Sequence, residues 1–120
     1  VGPRILLVDD HPGFRRMARR ILEAGGFDVV GEAADGAQAL RYVDELSPEI
    51  VVLDVLLPDI DGIEVADRLA RLTHAPVVVL ISSRSRADLG DRLAAAPVRG
   101  FLTKEDFSAE CLAALTGGTP

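Results

Sequence analysis

With a single cysteine, Cys111, the chain has no means of closing an internal disulfide. Nor does a short apolar stretch follow a basic N-terminus, and the two absences lead us to expect a reducing, cytoplasmic setting. Missing too is any apolar run near the roughly 18 residues that a membrane-crossing helix needs. The longest, Val77 to Ile81, has the length of a strand, so a soluble domain without membrane contact is expected. Clustered positive charge is the third absence. Nucleic-acid affinity draws heavily on grouped Lys and Arg, and a formal net charge of −6 argues against direct nucleic-acid contact. Arg15, Arg16, Arg19 and Arg20 are followed by Glu23 and read as a solvated helix face.

What is present is apolar patterning: 120 residues, 48% of them hydrophobic, suffice for one compact domain with a real core. Ile5 to Val8 reads as a first strand, followed by a helix from about Gly13 to Ala24 with Phe14, Met17, Ile21 and Leu22 on one face. Gly25-Gly26 ends that helix. A second strand runs from about Val29 to Ala33, and a helix from about Ala37 to Leu46 stops at Ser47-Pro48. The continuously apolar Ile50 to Leu53 suits a central strand covered on both faces. The turn Leu57-Pro58-Asp59-Ile60-Asp61-Gly62 leads to a helix carrying Ile63, Ala66, Leu69 and Leu72, with Asp59 and Asp61 as turn and capping residues. After Ala75-Pro76 comes a fourth strand, Val77 to Ile81. A weak helix at Arg86 to Ala95 contains Gly90 and is ended by Pro97. A fifth strand near Arg99 to Leu102 and a last helix near Ser108 to Leu115 complete the series. Residues 1–116 are thus expected to form one domain, with 117–120 a tail that can start a linker.

Strands alternating with helices imply a parallel sheet with right-handed crossovers, whose ligands bind beyond the carboxyl ends of the strands. Asp9-Asp10 follows the first strand, Asp54 the third, Ser82-Ser83 the fourth, and Thr103-Lys104 the fifth. If those strands are neighbours, three carboxylates converge beside a hydroxyl and an ammonium. Close carboxylates repel unless protonated or bridged by a divalent cation, and an all-oxygen set favours Mg²⁺. Lys104 can neutralise a phosphoryl oxygen, Ser82 can hydrogen-bond another, and Asp54 becomes the nucleophile.

Each residue alone has an ordinary reading: Asp10 as a helix cap before Pro12, Asp54 as a turn residue, Ser82 and Ser83 as caps, Lys104 as a solvated side chain. Independent structural causes do not readily place each type after its own strand. His11 has no second histidine or cysteine at ligand spacing and is left out of the site. Cys111, among Ala109, Leu112 and Leu115, reads as a packing residue.

In these motifs, over nearly its whole length, the chain resembles the CheY-like receiver domains of response regulators. The family's acidic pair falls on Asp9 and Asp10, its phosphoacceptor on Asp54, its hydroxyl on Ser82, its aromatic on Phe101 and its lysine on Lys104. Leu57-Pro58 and Gly62 match the turn after the acceptor. The resemblance implies an α/β fold, a single-domain doubly wound (βα)5 with a five-stranded parallel sheet in the order 2-1-3-4-5. It implies Mg²⁺ held by Asp10, Asp54 and the backbone carbonyl of Leu56, with Asp9 acting largely through water. It further implies a sensor histidine kinase as phosphoryl donor, a switch through Ser82 and Phe101, and a regulatory role rather than an enzyme's. Asp9-Asp10-His11-Pro12 and Gly100-Phe101-Leu102-Thr103-Lys104 are similar to receivers of the NarL/LuxR type, which implies a C-terminal helix-turn-helix output domain, absent from this chain, and control of transcription. Surfaces of the first and last helices and of strand five offer two homodimer faces.

The chain departs from the family in two places. Glu105 stands where most receivers have a proline, and the helix between Ser83 and Arg99 is weakened by Gly90 and Pro97. Leu56 and Arg84, two residues past Asp54 and Ser82, can screen an acyl phosphate and prolong its life. Three rivals remain. A phosphorylation-independent interaction module is one. An aspartyl-nucleophile Mg²⁺ phosphohydrolase is the second, although Leu56 stands where a second aspartate is wanted. The third is a flavodoxin-like binder, whose phosphate Asp9-Asp10 would repel.

Overall fold

The computed structural model describes residues 2–117. Strands β1 (Arg4–Val8), β2 (Asp28–Ala33), β3 (Ile50–Asp54), β4 (Val77–Ser82) and β5 (Gly100–Thr103) form one sheet in the order β2-β1-β3-β4-β5. Every pairing is parallel, with one register shift between Ile5 and Leu6 where β1 meets β2. The helices are α1 (Pro12–Ala24), α2 (Gly36–Leu46), α3 (Gly62–Ala70), α4 (Arg86–Leu89), α5 (Asp91–Ala94) and α6 (Ala109–Thr116), with a 3-10 turn at Lys104–Asp106.

Period-two alternation splits the strands between two cores. Leu6, Val8, Val51, Leu53 and Leu80 face α2 and α3, where they meet Ala39, Val43, Val65, Ala66 and Leu69. Ile5, Leu7, Val52, Val79 and Ile81 face α1 and α6, against Ala18, Leu22 and Leu112. Each fully buried Leu or Ile contributes about 1.5–3 kcal/mol of burial, so the central strands, apolar on both faces, anchor the sheet. All five residues of β3 are buried. Its terminal aspartate is buried with the rest of the strand.

Local chemistry sets the helix ends. Asp35 caps α2 by accepting from the Gln38 N–H, and Ser108 caps α6 by accepting from the Cys111 N–H. Ser47 turns left-handed at φ 48° ahead of Pro48 and stops α2. Gly117 at φ 69° closes α6. Of the tail expected at 117–120, residues 118–120 lie outside the described residues.

Several expectations need correction. Met17 is 46% exposed, and Ala18 takes its place on the buried face of α1. Leu72 is likewise 46% exposed, because α3 ends at Ala70 and its period does not reach that far. Arg15 and Arg19 are not merely solvated: both bind Glu32 on β2, at 3.1 and 2.9 Å. The weak fourth helix is two separate turns, α4 and α5, broken by Gly90 at φ 61° and ψ −143°. Among the described residues no helix is long and apolar enough to cross a membrane.

Candidate phosphoacceptor site

Three chain segments meet at the carboxyl edge of the sheet. Asp54 ends β3 at 3% exposure, and Asp9, just past β1, is 1% exposed. The Asp9 N–H donates to the Ala33 carbonyl at 3.0 Å, and its carbonyl accepts from the Arg15 guanidinium. Two neighbouring elements therefore hold the acidic turn. Lys104 follows β5, in a turn whose Asp106 N–H donates to the Thr103 hydroxyl at 3.2 Å. Its ammonium lies 2.6 Å from Asp9 Oδ2 and 3.2 Å from Asp54 Oδ2. The same ammonium sits 4.8 Å over the Phe14 ring, which Phe107 braces edge-on at 5.6 Å.

His11, which has no ligand-spaced partner in the sequence, lies inside this cluster. Its N–H donates to Asp9 Oδ1 at 2.8 Å, and its Nδ1 is 3.1 Å from that oxygen, 3.2 Å from Asp10 Oδ1 and 3.3 Å from Lys104 Nζ. The local signal is a turn in which an aspartate accepts the N–H two residues on, a pattern that spacing between metal ligands does not register. Asp10 does not cap α1. The residue preceding α1 is His11, with no side-chain cap, and Asp10 turns its exposed carboxylate to the cluster.

Burial first, and then the charge of Asp9, push the Asp54 carboxyl above its ordinary range, against the Leu56 N–H and Lys104. Burial works to discharge Lys104, but contact with Asp9 and the charge of Asp54 outweigh it and hold the ammonium more firmly protonated. Three carboxylates still face one ammonium. Asp9 Oδ2 is buried against the Lys104 ammonium, 2.6 Å away. Ligand atoms of Asp9, Asp10, His11 and Asp54 lie within 4.8 Å of one another. Carboxylates gathered this closely, with one ammonium among them, fit a divalent cation. Asp9 contacts Lys104 and His11 directly.

The remaining predicted residues surround this centre. Asp54 pairs with Ile81, which puts the buried Ser82 one step beyond Asp54, its hydroxyl accepting from the Arg84 N–H at 3.0 Å. Capping of α4 falls to Ser85 and Asp88 rather than Ser82 or Ser83. Phe101 pairs with Leu80 and is 6% exposed, with the Arg86 guanidinium 5.4 Å over its ring. Ser82 shares the alternation phase of Leu80, and hence the sheet face of Phe101. Leu56 is 50% exposed, and its N–H donates to Asp54 Oδ1 at 3.1 Å. Arg84 is exposed. Asp61 caps α3 through the Ile63 N–H at 2.8 Å.

The sequence pattern of the response regulator receiver domain matches residues 5–116. A relative from Pseudomonas aeruginosa is 38% identical over 111 residues, covering 92% of this chain and 54% of that protein. The DNA-binding transcriptional activator EvgA of Escherichia coli is 27% identical, over 92% of this chain and 54% of its own. Among solved structures, the signal receiver domain of NarL from Mycobacterium tuberculosis superposes with a TM-score of 0.85 at 31% identity, covering 98% of each chain. The chain belongs to the response regulator receiver domains of two-component systems, and its relatives include regulators of the NarL/LuxR type. It spans about half the length of the curated relatives it matches.

Proposed function

We propose that Asp54 accepts a phosphoryl group from a phosphohistidine on a sensor histidine kinase. The observation that carries this reading is the Lys104 ammonium placed 2.6 and 3.2 Å from the buried Asp9 and Asp54 carboxylates. A carboxylate oxygen of Asp54 attacks phosphorus, the P–N bond breaks, and the imidazole leaves with the electron pair. Lys104 is positioned to follow a phosphoryl oxygen, and its charge needs no reorganisation because Asp9 already orients it. Asp10, Asp54 and the Leu56 carbonyl would hold Mg²⁺, which when bound supplies neutralising charge to the transferring phosphoryl group. Ser82 would hydrogen-bond the new phosphoryl oxygens and, being on the face of Phe101, pass the change to β4 and β5 as a shift between existing conformations. Exposed Leu56 and Arg84 would slow attack by water.

The domain then acts as a regulatory switch rather than on external substrates. Its output would pass to a helix-turn-helix domain of a longer protein that controls transcription, with a homodimer as an intermediate step and the cytoplasm as the setting. The test is intact-mass measurement after incubation with acetyl phosphate and Mg²⁺. Gain of one phosphoryl group by the parent and none by Asp54→Asn is the expected result. Gain by neither would leave a phosphorylation-independent interaction module as the better reading, and equal gain by both would move the acceptor away from Asp54.

A further inference from the structure

Asp59 does more than turn the chain. Its Oδ1 accepts from the Gly36 N–H and the Ile60 N–H, both at 2.8 Å, and its Oδ2 accepts from the Ala37 N–H at 3.0 Å. Gly36 and Ala37 open α2, more than 20 residues earlier in the chain. Asp35 already satisfies the next donor of that helix, Gln38 N–H, so two carboxylates share the three donors of its first turn. A carboxylate is also favoured there by the helix dipole. The Gly36 N–H, then the Ala37 N–H, hold the Asp59 carboxyl below its ordinary range despite some desolvation. The loop and the helix are built for close approach: a Cβ on Gly36 would lie 3.0 Å from Ile60 Cβ and 3.3 Å from Asp59 Oδ1.

The loop so fastened joins Asp54 to α3. It begins with Leu56, whose N–H is given to Asp54, and returns at Gly62, whose N–H donates to the Val55 carbonyl at 2.8 Å. Both ends are therefore fixed next to Asp54, while the middle exposes Leu56 and Pro58 and packs only the partly buried Leu57 and Ile60 against the core. Without the tie at Asp59 nothing polar would hold that middle to α2.

We propose that Asp59 is a positioning residue for the cation site: by clamping the loop after Asp54 onto the first turn of α2, it holds the Leu56 backbone in register with the Asp10 and Asp54 carboxylates. This rests on the reading that those groups take a divalent cation. A carboxylate outside the site then governs affinity within it, as partners that orient ligands commonly do.

Mg²⁺ titration calorimetry tests this on the parent, Asp59→Ala, Asp59→Asn, Asp35→Ala and Asp10→Asn. Asp59→Ala should bind Mg²⁺ about tenfold more weakly, with faster exchange of the Leu56 amide. Asp59→Asn keeps an Oδ1 acceptor and should recover much of the loss. Asp35→Ala uncaps the same helix without touching the loop, so it should lower the Tm yet leave Mg²⁺ affinity unchanged. Parental affinity in Asp59→Ala, or an equal loss in Asp35→Ala, overturns the role of Asp59. Parental affinity in Asp10→Asn would instead overturn the cation site itself.

Discussion

The loop from Val55 to Gly62 and the segment from Ser83 to Arg99 lie on the same side of the molecule and are held in opposite ways. The loop has no regular structure, yet it is fixed by contacts across the fold. Val55 is 1% exposed and its N–H donates to the Ile81 carbonyl at 3.0 Å. Asp59 reaches α2, and Asp61 caps α3. The segment contains two helical turns but satisfies itself mostly from within, through the reciprocal Ser85–Asp88 cap and the Gly90 N–H to Arg86 carbonyl bond. Leu93 is its one buried residue. Regular secondary structure is therefore no measure of how firmly a segment is determined; long-range burial and hydrogen bonding are.

Glycine substitutions give the sharpest way to break this comparison. A Cβ on Gly62 would meet the Asp54 carbonyl oxygen at 2.1 Å and Val55 Cα at 2.8 Å, backbone atoms that cannot swing aside. Gly62→Ala should cost about 3 kcal/mol in urea unfolding and misplace Asp54, the proposed acceptor, enough to abolish phosphoryl gain. At Gly90 a Cβ meets nothing within 4 Å, and only the φ of 61° opposes it. Gly90→Ala should cost about 1 kcal/mol. Equal costs would show that the segment is as constrained as the loop. Amide exchange offers a second reading: the Val55 and Gly62 amides should be markedly better protected than those of Asp88 and Gly90.

The two regions are joined by an ion pair, Arg92 to Asp61 at 2.5 Å, with side chains 60% and 34% exposed. An exposed pair of this kind contributes under about 1 kcal/mol. Arg92→Ala should therefore leave global stability almost unchanged while speeding exchange of the segment's amides. A loss as large as that from Gly62→Ala would mean that the loop depends on the segment, which its contacts to α2 and Ile81 argue against.

The difference between the regions also marks what could be read from residue order. The apolar runs at Ile5, Ile50 and Val77 predicted their strands because a strand covered on both faces has no other pattern. Gly90 and Pro97 foretold a weak helix from propensity alone, but not that Gly90 would split it into two turns. Asp61 was legible as a cap, since its partner lies two residues away. The reach of Asp59 to Gly36 was not, because no local spacing encodes a contact across 23 residues. Met17 misled for a different reason: the helical period accommodates it as well as Ala18, and close packing on the sheet favours the smaller side chain. Of the candidate site, the convergence of Asp9, Asp54 and Lys104 followed from strand order, which the family resemblance supplied. His11 was missed because a turn folds its ring back over the residues before it.

A third region, where α1 crosses β2, is fastened like the loop but by side-chain charge instead of backbone donors, which makes it sensitive to pH. Burial alone would raise the Glu32 carboxyl, but hydrogen bonds from Arg19 and then Arg15 outweigh it and hold the group below its ordinary 4.5. Because the folded value is depressed, the unfolded chain binds the proton more readily as pH falls. The stabilisation is complete above about 4.5 and is lost as pH drops through the folded value. With the carboxylate 28% exposed, the contribution is at most about 1 kcal/mol. Glu32→Gln should thus be slightly less stable than the parent at pH 7 and converge with it under acid, as read by denaturant unfolding across that range. A gap that persisted below the folded value would assign the stabilisation to packing rather than charge. The Asp59 tie lies on backbone donors that do not titrate, yet its carboxylate does. The loop should therefore loosen in acid as well, in step with Asp59 rather than Glu32, and the Leu56 amide would report it.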